Sequence, residues 1–180
     1  MYYYKDYVTI EEIIGNHSYR YLLTAKLRDG MKNKNALIIM KNPSKATNDI
    51  SDQTINRVLE IMHNFKYSKV FITNLIPIYS TDPSAIADSI SIESKIYEKN
   101  DIIIRKKVDE SSKIFVGWGG SNGIDFSFYT NRIQAIKNII GRKKVFCYRV
   151  IKSGMPIHPC RNQWKITKPE NEYVEYILQI

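Results

Sequence analysis

The 180-residue chain reads as an α/β protein: a three-layer αβα sandwich around a central, four-stranded, mainly parallel sheet. Three observations predict this. Four short, apolar, β-branched runs recur along the chain, helical patterns lie between them, and three of the runs have the continuous hydrophobicity of strands covered on both faces. Strands alternating with helices give a parallel sheet wrapped on both sides. No repeat, low-complexity segment or linker interrupts the pattern, so residues 1–180 are expected to form one domain.

In chain order, Tyr19 to Leu27 alternates like an additional strand ahead of the main pattern. The first continuous run is Ala36 to Met40. A helix follows over Asp52 to Phe65, with Ile55, Val58, Leu59 and Met62 on one face and Ser51 or Asp52 as its N-cap. The second run is Lys69 to Asn74. Helical spacing returns over Tyr97 to Val108 through Ile103, Ile104 and Val108, before the third run, Lys113 to Gly117. Phe126 to Ile140 repeats the helical pattern with Ile133, Ile136 and Ile140. The fourth run, Lys144 to Tyr148, is the least continuous of the set. Trp164 to Ile180 adds either an edge strand or a helix.

Hydrophobic residues make up 43% of the chain and charged residues 25%, which fits a packed protein and excludes a disordered one. No apolar stretch is long enough for a bilayer, and the start at Met1 to Asp6 is not a signal peptide. A cytoplasmic protein with no membrane partner is expected. Cys147 and Cys160 are too few for a disulfide scaffold or a thiolate-held cluster, and with His17 and His158 they form no metal-ligand spacing. No metal and no cofactor are expected. The formal charge of +9, with clusters at Arg105-Lys106-Lys107 and Arg142-Lys143-Lys144, favours a polyanionic partner. A lysine-rich surface kept for solubility would read the same way.

Ligands of open parallel sheets bind outside the carboxyl ends of the strands, so the residues after each run matter most. Those are Lys41-Asn42-Pro43-Ser44, then Asn74 with Leu75-Ile76-Pro77, then Gly117-Trp118-Gly119-Gly120, and finally Arg149 onward to His158-Pro159-Cys160. Pro43 fixes its own φ and pushes Asn42 toward an extended conformation; Pro159 acts likewise on His158. An Asn before Pro is also an ordinary turn starter, and Asn74 also suits capping of backbone groups. Their coincidence at one sheet edge with His158 is what favours a pocket.

The segments RYLLT, MKNPSKATNDISDQTINR, FITNLIPIYSTDP, YEKND, FVGWGG and IKSGMPIHP follow one another as in the bacterial and phage family named domain of unknown function 1643, which the chain resembles over most of its length. More remotely, the order of motifs is similar to that of the uracil-DNA glycosylase superfamily. There an Asn-Pro or Asp-Pro element follows the first strand, an Asn ends the second, a Gly ends the third, and a His-Pro element follows the fourth. That resemblance implies a uracil-DNA-glycosylase-like fold and a monofunctional DNA glycosylase acting on uracil or a modified pyrimidine flipped from DNA, in repair or in defence against phage with modified DNA. It implies that Asn42 orients the attacking water, Asn74 reads the base, and His158 stabilises negative charge on the departing base. DNA is the implied partner, and a monomer is expected. Lys41, Lys45, Arg57 and Arg161 are the candidates for DNA contact, with Arg161 placed where the superfamily inserts a side chain into the stack.

The sequence also departs from that pattern. Ser44 stands where some branches carry a bulky tyrosine that blocks bases substituted at C5, so a larger pyrimidine fits here, although other branches with a small residue still take uracil. Tyr79 is the candidate for stacking on the base among 13 tyrosines. Lys41 replaces an apolar residue usual in the nearer family, and either reaches a phosphate or points to solvent. Asp49 and Asp52 either assist the water or, for Asp52, cap the helix. Arg57 either binds phosphate or holds the loop through a carboxylate. Two other readings stand beside the glycosylase: an enzyme of free nucleosides or nucleotides, and a non-catalytic nucleic-acid-binding module on the same fold.

Overall fold

The computed structural model describes residues 1–79, 94–160 and 163–177. Within them the chain runs β1 (Tyr2–Tyr3), β2 (Val8–Gly15), β3 (Arg20–Leu27), β4 (Met31–Met40), β5 (Ile50–Ser51), α1 (Gln53–Asn64), β6 (Tyr67–Asn74), α2 (Ser94–Glu110), β7 (Lys113–Gly117), α3 (Phe126–Ile140), β8 (Val145–Cys147) and β9 (Val174–Glu175). The protein is mixed α/β, with three α-helices among the described residues.

The main sheet is wider than the four strands expected. Its order is β2-β3-β6-β4-β7-β8-β9, seven strands among the described residues. The four central strands, β6, β4, β7 and β8, are all parallel and correspond to the four apolar runs. Outside them β3 pairs antiparallel with β6, β2 antiparallel with β3, and β9 antiparallel with β8. Of the three additional strands, β3 is the one expected at Tyr19 to Leu27 and is buried at all but one residue, whereas β2 and β9 lie at the two edges and are less covered. β2, for example, reads VTIEEIIG and is nowhere fully buried, so its apolar signal is diluted. The described part of the C-terminal segment supplies a single 3-10 turn at Glu170–Glu172 followed by the short edge strand β9.

Parity along the strands sends side chains to two cores. Leu37 and Ile39 of β4 join Phe71, Ile114 and Val116 under Ile104, Val108, Ile133, Ile136 and Ile140 of α2 and α3. Ala36, Ile38 and Met40 face the other way with Val70, Ile72 and Phe115, against Ile55, Val58, Leu59, Ile61 and Met62 of α1. Among the described residues one helix therefore lies against one face and two against the other, in keeping with layers of helix on both sides of the sheet. At about 25 cal/mol for each Å² of apolar surface removed from water, burial of this kind is the main stabilising term. Asp52 is the N-cap of α1: its Oδ1 accepts from the backbone N–H of Thr54 at 2.8 Å and of Ile55 at 2.9 Å.

Strand order explains where a ligand would sit. From β4 the chain crosses through α1 to β6 on one side, then returns through α2 to β7 on the other. The order reverses between β4 and β7, the place at which ligands of open parallel sheets generally bind.

Candidate functional site

Asn74, Met40 and Gly117 form one rung at the carboxyl edge, since Met40 pairs with Asn74 in β6 and with Gly117 in β7. Neighbouring members of such a rung are about 4.8 Å apart. Beyond it, Leu75 N–H donates to the Met40 carbonyl at 2.9 Å and Ile76 N–H to that of Lys41 at 3.0 Å. These two bonds tie the loop bearing Asn42 to the loop after Asn74. Asn42 is half-buried between buried Lys41 and Pro43.

Arg20 holds the same loop from the other side. Its fully buried guanidinium donates from Nη1 to the carbonyls of Ser44 (3.1 Å) and Ala46 (3.0 Å), and from Nη2 to Ser44 Oγ (3.2 Å). The guanidinium carbon lies 5.8 Å from the centre of the Tyr79 ring. Burial pulls its pKa below the ordinary arginine value, opposed by Tyr79, Asp52 and Tyr4. Ser44 and Tyr79 thus meet at one cation, which fixes the shape of the Asn42-Pro43-Ser44 turn. Sequence reading named Arg20 only as the first letter of a motif. An arginine opening an otherwise apolar strand was the available signal, because such a charge is buried only when several acceptors await it.

Asn74 ends β6 with its side chain fully buried, and neither its Oδ1 nor its Nδ2 has a hydrogen-bond partner among the described residues. Leaving such atoms unpaired costs about 1–3 kcal/mol per group. The backbone there is held firmly. Asn100 of α2 donates to the Asn74 carbonyl at 3.0 Å, and Arg132 of α3 donates from Nε to the Leu75 carbonyl at 3.1 Å while its Nη1 meets Asp101 at 3.1 Å. The amide is therefore presented on a rigid base with donor and acceptor side by side. Trp118 Nε1, at the end of β7, is likewise buried without a partner among the described residues.

The fourth strand end folds back over β7. Gly119 N–H donates to the Pro156 carbonyl at 2.9 Å, and Trp164 Nε1 donates to the Ile157 carbonyl at 2.8 Å. A Cβ on Gly117 would lie 2.7 Å from Trp164 Cζ2 and 3.1 Å from Pro159 Cδ, so only glycine lets this loop reach the sheet edge. His158 results from that approach. Its Nδ1 accepts from the backbone N–H of Cys160 at 3.1 Å, which leaves the proton on Nε2. Burial, followed by the nearby Lys41 charge, pushes its pKa down to about 4, with Asp52 opposing. The imidazole is neutral at pH 7 and is a donor at Nε2.

Lys41 completes the group. Its side chain is buried, with Nζ 5.7 Å from the centre of the Tyr129 ring, and Tyr129 Oη donates to the carbonyls of Trp118 (3.1 Å) and Gly119 (3.0 Å). Burial lowers its pKa from the ordinary lysine value, with Cys160 opposing. Of the other sequence candidates, Lys45 is exposed, Arg57 is half-buried on α1, and Arg161 lies outside the described residues. The structure brings Lys41, Asn42, Asn74 and His158 to one edge, with Ser44 and Tyr79 behind them at Arg20. Among the described residues no group of three His, Cys, Asp or Glu side chains is placed to hold a metal ion, and no helix is long and apolar enough to cross a membrane.

The sequence profile of the family described as "Protein of unknown function (DUF1643)" matches residues 20–160. The matched stretch starts at the Arg20 clasp and ends at Cys160, so all four strand ends fall within it. No curated protein and no solved structure matches the chain.

Proposed function

The chain belongs to the domain-of-unknown-function 1643 family, and on that premise we propose that it is a DNA glycosylase with a uracil-DNA-glycosylase-like fold, hydrolysing the N-glycosidic bond of uracil or a modified pyrimidine. The observation that carries this reading is the fully buried Asn74 amide, whose donor and acceptor both lack partners among the described residues and sit on the rung beside the His158 loop. A pyrimidine edge presents a matching donor and acceptor, and would satisfy both at once.

Bond cleavage leaves positive charge on the sugar and negative charge on the base. A neutral imidazole with its proton fixed on Nε2 donates to the base oxygen as that charge grows, so the bond is stronger in the transition state than before it. Asn42, held by Pro43 and by the bonds around Lys41 and Ser44, orients water on the sugar. An amide is a poor base, which suits a dissociative step that needs little deprotonation. The net charge of +9 supplies attraction for the phosphates.

The test is incubation with DNA containing uracil or C5-modified pyrimidines, with free base detected by mass spectrometry. Asn42→Ala and His158→Ala should each lower release by about 100-fold or more, as for loss of a positioned or charge-stabilising group. No released base from any pyrimidine, or full activity in both variants, overturns the proposal.

A further inference from the structure

We propose that Lys41 is a nucleophile of this site, forming an imine with C1′ of an abasic deoxyribose, so that the protein carries a lyase activity beyond base release; this rests on the glycosylase reading for its substrate.

The placement of Lys41 is unusual for a lysine. It follows Met40, the central member of the Asn74–Met40–Gly117 rung, and its side chain stays buried at the strand ends instead of reaching solvent. Among the described residues no carboxylate lies within ion-pair distance of Nζ; its neighbours are the Tyr129 ring, His158 and Cys160. A lysine desolvated at a strand end, with no carboxylate in ion-pair distance among the described residues, has a larger share of free amine than a surface lysine. The lowered Lys41 pKa agrees with this. A structural role is poorly served by such a residue, because burying the charge costs stability that an apolar residue there would not.

The chemistry balances without a cofactor. The Nζ lone pair forms a bond to C1′ of the ring-opened aldehyde while the C=O π pair moves to oxygen. Two protons pass from nitrogen to that oxygen, which leaves as water and gives the imine. Loss of the C2′ proton to water, with the C3′–O bond breaking and phosphate departing with its electron pair, then cleaves the strand. Hydrolysis of the imine returns the amine.

The experiment uses single-stranded and duplex oligonucleotides, each with one preformed abasic site, mixed with the full chain and sodium borohydride. Hydride reduces the imine to a stable amine, and peptide mass mapping locates it. The expected result is a covalent adduct at Lys41, lowered at least 100-fold in Lys41→Met and retained in Lys32→Met, an exposed lysine at the opposite end of β4. Absence of an adduct, mapping to another amine, or persistence in Lys41→Met overturns the proposal. Mapping on the unsubstituted protein decides the matter even if Lys41→Met does not fold. Because the abasic site is preformed, the two readings fail separately: base release without an adduct removes Lys41, and an adduct without base release from any pyrimidine removes the glycosylase.

Discussion

The backbone N–H of Cys160 donates to Nδ1 of His158 at 3.1 Å, two residues away. This short bond sets which imidazole nitrogen carries the proton, and with burial it sets the charge. A first prediction follows from its sign. His158 in the unfolded chain titrates near 6.5 and in the folded chain near 4, so between these values the unfolded state binds the proton and the folded state does not. The stabilisation is complete above pH 6.5 and is lost as pH falls through 4, amounting to about 3 kcal/mol. Urea unfolding at pH 7, 5.5 and 4 should show that loss, and His158→Ala should flatten it. Imidazole nitrogen NMR should report the Nε2–H form at pH 7; a group titrating at 6 to 7 would contradict the assignment.

Asn74→Leu should separate function from stability. The native amide has no partner for either polar atom among the described residues, so a side chain of similar size removes two unsatisfied atoms. Stability should stay level or rise by about 1 kcal/mol. Base release should fall by about 100-fold, since the reading group is gone. Thermal melting and base release measured on the same preparation check both halves.

Arg20→Met should do the reverse at the first step and then reach the site. Three bonds to the Ser44–Ala46 backbone and the Ser44 hydroxyl disappear. Hydrogen bonds to a charged group contribute about 1.5–3 kcal/mol each, and they are not additive, so a loss of about 3 kcal/mol is expected. Base release should fall beyond what the unfolded fraction explains, because Asn42 loses its fixed loop. Arg20→Lys should rescue little, since an ammonium cannot reproduce the fork.

Gly117→Ala places a methyl 2.7 Å from Trp164 Cζ2 and 3.1 Å from Pro159 Cδ. Relief moves the His158–Pro159 loop away from the sheet edge. A displacement of even about 1 Å costs about 100-fold in a positioned site, so kcat should fall while binding of abasic DNA changes little. Unchanged kcat would show that His158 does not depend on this contact.

Much of this arrangement was legible in the sequence because periodicity is local. The four apolar runs and the Phe126–Ile140 helix lie where the pattern put them, and Asp52 was readable as a cap from its place before Ile55. What escaped is what depends on partners distant in the chain. The register that puts Asn74 beside Met40 and Gly117, the reach of Arg20 across 24 residues to Ser44, and the pairing of β2 with β3 carry no local signature. Aromatic character alone suggested Tyr79 as a base platform; the Arg20 guanidinium 5.8 Å from its ring centre comes from a residue distant in the chain. Lys41, which sequence offered to phosphate or to solvent, does not point to solvent but is buried against Tyr129.

The reversal of strand order between β4 and β7 has a consequence for the newborn chain. Lys41 and Asn42 leave the ribosome early and Asn74 soon after, yet all three belong to an edge whose far wall is built from Gly117 and the His158 loop. A nascent chain holding only β4 and β6 has the Asn74 amide with neither Gly117 nor the His158 imidazole beside it. Synthesis runs at about 5–20 residues per second, so several seconds separate Asn42 from His158. Throughout that interval the strand-end group is incomplete, so on the glycosylase proposal no base release is expected until β7 and the His158 loop have docked.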